Sequence, residues 1–120
     1  MKLEVGMYVR TKRGQIGKVI TIEKDNVAIE FNRMWQDVIL RTNIVKEPSF
    51  NIIDLIEVGD VIIDKEGHKY PINYEFETDY NGEYNSYEIT IDDHITLFLK
   101  DDLSIVTKEQ FSSMEYKIWK

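Results

Sequence analysis

Pro71-Ile72-Asn73-Tyr74-Glu75-Phe76-Glu77-Thr78-Asp79-Tyr80-Asn81-Gly82-Glu83-Tyr84-Asn85-Ser86-Tyr87-Glu88-Ile89-Thr90-Ile91-Asp92 decides the fold class of this chain. Asn81-Gly82 is a strong hairpin signal, because a type I′ turn needs positive φ at both central residues. Taken as a two-residue loop, it predicts that Phe76 pairs with Tyr87, Tyr74 with Ile89 and Ile72 with Ile91. The opposite face then pairs Glu77 with Ser86, Glu75 with Glu88 and Asn73 with Thr90. A one-residue slip would exchange the two faces, so the alternation argues for strands and against a helix.

Outward from the hairpin, the rest of the chain also reads as short strands. Tyr8-Val9-Arg10-Thr11 precedes a Lys12-Arg13-Gly14-Gln15 turn, and Ile16 to Ile22 is rich in β-branched residues. Glu23-Lys24-Asp25-Asn26 turns into Val27-Ala28-Ile29-Glu30-Phe31, whose apolar residues alternate. Asp37 to Val45 supplies one or two further strands, and Ile95 to Leu99 another before an Asp101-Asp102 turn. Thr107-Lys108-Glu109-Gln110 has the form of a capping box, which predicts a short helical turn through Phe111 to Met114. Tyr116 to Trp119 reads as a closing strand.

One segment occurs twice. Aligning Leu3–Gly14 with Ile56–Gly67 matches Glu4 with Glu57, Val5 with Val58, Gly6 with Gly59, Lys12 with Lys65 and Gly14 with Gly67. Glu47-Pro48-Ser49-Phe50-Asn51 lies between the copies, and Pro48 cannot donate to a central ladder. The expectation is an all-β protein of two tandem small SH3-like barrel modules. Residues 1–47 form a basic module, and residues 48–120 an acidic one containing the 71–92 hairpin as a long insert.

The charge is divided the same way. Residues 1–46 carry a net charge of +4 and residues 47–120 a net of −11. Such asymmetry predicts two surfaces with different partners, or one half meeting the other half of a second copy in a homo-oligomer. Cysteine is absent, which excludes disulfides and thiolate chemistry. No signal peptide or membrane-length apolar run is present, so a cytoplasmic location without membrane partners is expected.

Several long phrases carry a resemblance. Ile44-Val45-Lys46 and Asn51-Ile52-Ile53-Asp54-Leu55-Ile56-Glu57-Val58-Gly59-Asp60 resemble small uncharacterised phage and prophage proteins of Gram-positive bacteria. So do the opening Val5-Gly6-Met7-Tyr8-Val9-Arg10-Thr11 and the close from Ile105 to Lys117. These stretches cover roughly half the chain. The family's Asn-Gly turn after Gly-Asp is replaced here by Val61-Ile62-Ile63-Asp64-Lys65, with the turn delayed to Glu66-Gly67. The resemblance implies a mobile-element origin, an SH3-like framework, the cytoplasm of a bacterial host and a function by binding. It implies no activity, and it does not extend over Lys69 to Leu99.

Three binding chemistries compete. Glu75, Glu77, Asp79, Glu83, Glu88 and Asp92, with the flanking Tyr80 and Tyr84, predict a protein-binding acidic hairpin. Like charges across a ladder destabilise it, which a basic host or defence protein would relieve. The leading expectation is a phage-encoded accessory protein or anti-defence inhibitor that binds a host or defence protein through this hairpin. Arg10, Lys12, Arg13, Lys18, Arg33 and Arg41 predict a nucleic-acid module as the alternative, opposed by the acidity of the whole chain. Aromatic stacking on Tyr80, Tyr84 or Trp35 would suit a nucleotide-sequestering oligomer. Asp92 and His94 are expected to share a strand face, but nothing in the sequence fixes His68 near them, so neither a metal nor another cofactor is expected. Phosphate-binding glycine loops and nucleophile motifs are missing, and the expectation is a non-enzyme.

Overall fold

A computed structural model describes residues 2–31 and 37–110. The expected all-β class is observed, as eleven strands in three sheets among the described residues. Two compact units divide between Ile56 and Glu57. That division lies later than the 47/48 boundary expected from Pro48, because the proline does not break the chain. It sits inside a strand.

The first unit holds β1 (Tyr8–Thr11), β2 (Ile16–Glu23), β3 (Asn26–Phe31), β4 (Val38–Arg41) and β5 (Val45–Ser49), in one sheet ordered β4-β3-β2-β1-β5. Alternation buries Val9, Val19, Val27, Ile29, Phe31 and Val45 in its core. Pro48 lies opposite Val9 on the edge strand β5, where a missing N–H is tolerated. A 3-10 turn at Ile52–Leu55 follows, with Asn51 at its N-cap. Arg10 is fully buried and donates from Nη1 to the Leu55 carbonyl at 2.9 Å.

The second unit has β6 (Val61–Ile63), β7 (Lys69–Pro71), β8 (Phe76–Asn81), β9 (Ser86–Ile91), β10 (Ile95–Phe98) and β11 (Ser104–Val106). They form two three-stranded sheets, β11-β6-β7 and β10-β9-β8. Among the described residues the two units differ in their sheets: the first has a single five-stranded sheet, the second two small ones. Thr107 closes the expected capping box, with Thr107 N on Gln110 Oε1 at 3.2 Å and Gln110 N on Thr107 Oγ1 at 3.4 Å. Residues 108–110 are helical. The expected continuation through Met114 and the closing strand at Tyr116 lie outside the described residues, as does Trp35.

The repeat is structural as well as textual. Gly6 and Gly59 both take positive φ, 93° and 101°, which only glycine adopts readily. Gly6 N bonds Val19 O, and Gly59 N bonds Ile72 O. Val19 N returns to Met7 O as Ile72 N returns to Asp60 O. At the far end Thr11 N bonds Gln15 O, and Asp64 N bonds His68 O. The register agrees throughout: Tyr8 faces Lys18 and Val61 faces Pro71, Val9 faces Gly17 and Ile62 faces Tyr70. A third strand flanks each hairpin, β5 on β1 and β11 on β6.

Gly17 on β2 lies opposite Phe31 on β3, where there is no room for a side chain. A Cβ there would lie 2.5 Å from Ile29 Cγ2, 2.8 Å from the Glu30 carbonyl oxygen and 2.8 Å from Phe31 Cδ1. The backbone oxygen cannot move without breaking the ladder. Gly17→Ala is expected to lower the unfolding free energy by about 2 kcal/mol in urea denaturation of the full chain.

Candidate functional site

The insert carries the acidic face, in a register different from the one expected. Phe76 pairs with Ile91, Glu77 with Thr90, Thr78 with Ile89, Asp79 with Glu88, Tyr80 with Tyr87 and Asn81 with Ser86. The loop is four residues long, Gly82 to Asn85. Asn81 Oδ1 accepts from Glu83 N at 3.0 Å and Tyr84 N at 3.1 Å, and Asn85 takes the left-handed φ of 49°. Asn81 is thus a side-chain acceptor at the loop start rather than a type I′ turn residue. Each partner moves by four positions, an even number, so every side chain keeps its face.

One face carries Phe76, Thr78 and Tyr80 opposite Tyr87, Ile89 and Ile91, and the rings of Tyr80 and Tyr87 meet edge-on at 5.2 Å. Ile89 and Ile91 are buried. The other face carries Glu77, Asp79 and Glu88, continued on β10 by Thr96 opposite Thr90 and Phe98 opposite Glu88. Glu77, Thr78, Asp79, Glu88 and Thr90 line a shallow depression. Asp79 and Glu88 are direct cross-strand neighbours, so two carboxylates stand roughly 5 Å apart at their Cβ atoms. Asn81 Nδ2 donates to Glu88 Oε2 at 3.1 Å. Among the described residues no cation pairs with Glu77, Asp79 or Glu88.

Three expected members of the site stand elsewhere. Glu75 precedes β8 and does not face Glu88; its carbonyl accepts from Asp92 N at 3.0 Å. Tyr80 lies on the apolar face. Asp92 is not an outward carboxylate: Oδ1 accepts from Tyr74 N at 3.0 Å and Glu75 N at 3.2 Å, and Oδ2 from Asn73 N at 3.3 Å. Asp92 and Asp93 have φ of 50° and 61°, and His94 N closes the turn on Ile91 O. Asp92 and His94 therefore do not share a strand face. Glu83 and Tyr84 are exposed on the loop, where Tyr84 packs 4.8 Å from Phe98 beneath Lys100 Nζ. Tyr74, expected on the apolar face, is 81 % exposed.

The basic cluster is also thinner than expected. Burial removes Arg10 from the surface, while Lys12, Arg13, Lys18 and Arg41 are exposed and Arg33 lies outside the described residues. Arg41 pairs with Asn26 on the far edge strand β4, three strands away from β1. Charge asymmetry nevertheless follows the observed division. Residues 1–56 hold nine basic and seven acidic side chains, residues 57–120 six and fifteen.

Asp64, Glu66 and His68 have donor atoms within 4.8 Å of one another. The turn accounts for that geometry. Asp64 Oδ1 accepts from Glu66 N and His68 N, and Oδ2 meets Tyr70 Oη at 3.0 Å and His68 Nδ1 at 3.1 Å. In the first unit Thr11 Oγ1 does the matching job for Gln15 N. No helix among the described residues is long and apolar enough to cross a membrane.

Asp92 has a measurable signature. Partial desolvation raises its pKa, but the three backbone N–H donors from Tyr74, Glu75 and Asn73, with His94 nearby, outweigh it and hold the carboxyl below its ordinary value. A depressed folded pKa stabilises above the unfolded value, near pH 4, and that stability disappears as pH falls through the folded pKa. Asp92→Asn should therefore lower the urea midpoint at pH 7, speed amide exchange at residues 73–75, and flatten the loss of stability below about pH 4. An unchanged acid limb in the variant would contradict the assignment. No protein-family model matches the chain, and neither curated proteins nor solved structures show significant similarity to it.

Proposed function

We propose that this is a non-enzymatic binding protein, a phage-encoded accessory protein that inhibits a host or defence protein by covering a basic surface on it. The observation that carries the reading is the Glu77, Asp79 and Glu88 face, set on a regular ladder with no compensating cation among the described residues. Opposed like charges cost up to about 1 kcal/mol in the free protein. A basic partner turns that cost into attraction and accelerates encounter. The phrases shared in style with prophage proteins support the mobile-element origin and the bacterial cytoplasm as the place of action. Nucleic acid ranks second, because the buried Arg10 leaves the basic hairpin with fewer available cations.

Glu77→Gln, Asp79→Asn and Glu88→Gln combined should abolish capture of partner proteins from a bacterial host lysate. Stability should stay level or rise by up to about 1 kcal/mol as the Asp79–Glu88 repulsion is removed. Capture by the triple variant at the level of the parent chain rejects the acidic face.

A further inference from the structure

We infer that the partner docks by strand addition along the outer edge of β8, presenting an extended segment with Lys or Arg at alternate positions; this rests on the acidic-face reading above. The first support is how the chain treats its sheet edges. Exposed edges are normally blunted by proline, lysine or shortness. Both prolines of the chain lie on edge strands, Pro48 on β5 and Pro71 on β7, and Lys69 joins Pro71. β11 is only three residues long. Among the described residues β8, with six residues, is the longest edge strand, and it contains no proline, lysine or arginine.

The second support is the direction of its backbone groups. Asp92 N bonds Glu75 O, which fixes the phase of the antiparallel ladder. Alternation then aims the N–H and C=O groups of Glu77, Asp79 and Asn81 at β9, and those of Phe76, Thr78 and Tyr80 outward. The Tyr80 amide is taken by Asp79 Oδ1 at 2.8 Å, which leaves the Phe76 and Thr78 groups as the pairing edge. Residues 77–80 are all exposed.

The third support is charge. An added strand places alternate side chains beside Glu77 and Asp79, on the face that also bears Glu88. Lysine or arginine at those positions is attracted, whereas a second β8 would set Glu77 and Asp79 against their own copies. The edge is therefore open to basic strands and closed to itself. Main-chain hydrogen bonds supply affinity in this mode, and the alternate side chains supply selectivity.

The test uses the full chain and a ten-residue peptide of alternating Lys and Thr. Two further peptides are N-methylated at every second residue, one in each phase, which keeps every charge and removes the donors along one edge. The parent peptide should bind at low salt and slow exchange of the Phe76 and Thr78 amides. One methylated phase should bind about tenfold more weakly, the effect of losing one or two net hydrogen bonds. Thr78→Pro keeps the carboxylates and the β9 ladder, and should weaken the parent peptide likewise. Equal binding of all three peptides, without protection of those amides, overturns strand addition while leaving the acidic face in place. Absence of binding by any peptide, even in low salt, overturns both. A dimer that protects the Phe76 and Thr78 amides before peptide is added makes the occupant a second copy and also overturns the inference.

Discussion

Both units depend on a glycine held in the left-handed region at the mouth of a hairpin. At Gly6 and Gly59 the chain must reverse direction so that one amide reaches across to Val19 or Ile72 while the next residue's carbonyl receives the return bond. An L side chain resists that φ whatever space surrounds it. The surroundings do differ, since a Cβ at Gly59 would press on Lys108 Cδ at 3.2 Å, whereas at Gly6 the nearest atom is Phe50 Cε1 at 4.0 Å. What the copies share is the conformational demand. From it follow the phase of β1 and β6, the strand each pairs with, and which side chains enter the core.

The acidity of the second unit serves two separate physical purposes. Asp60 is buried and receives Glu57 N and Lys108 N; Asp64 closes a turn; Asp92 gathers three amides of the segment leading into β8. These carboxylates replace backbone partners that the short strands do not provide. Asp64 shows the substitution directly, because Thr11 holds the equivalent amide with a hydroxyl in the first unit. On the acidic face the internal bonds are fewer and local: Asp79 accepts only the next residue's amide, and Glu88 only the Asn81 side chain. Net charge alone merges the two groups, and hydrogen bonding separates them.

Much of the scaffold was legible because it rests on local rules. The repeated Glu-Val-Gly, the alternation in Val27 to Phe31, and the Thr107–Gln110 capping box each depend on residues close together in the chain. The hairpin face was legible for the same reason, while its register was not. Asn81-Gly82 satisfies the local preference for a tight turn, but Asn81 instead accepts two amides and transfers the left-handed position to Asn85. Long-range pairing hid the rest. Arg10 reads as a surface cation until the Leu55 carbonyl, far along the chain, is placed against it. Asp92 reads as one more exposed acid until residues 73–75 return to it.

The even displacement of the hairpin register has a consequence for how this sequence can drift. Lengthening or shortening the loop so that partners move by two or four positions exchanges neighbours without exchanging faces. A pattern of acids on one side and apolar residues on the other therefore survives paired insertions and deletions at the tip. A single inserted residue leaves it intact where the loop takes it up; within a strand it flips the faces beyond it or is absorbed as a bulge.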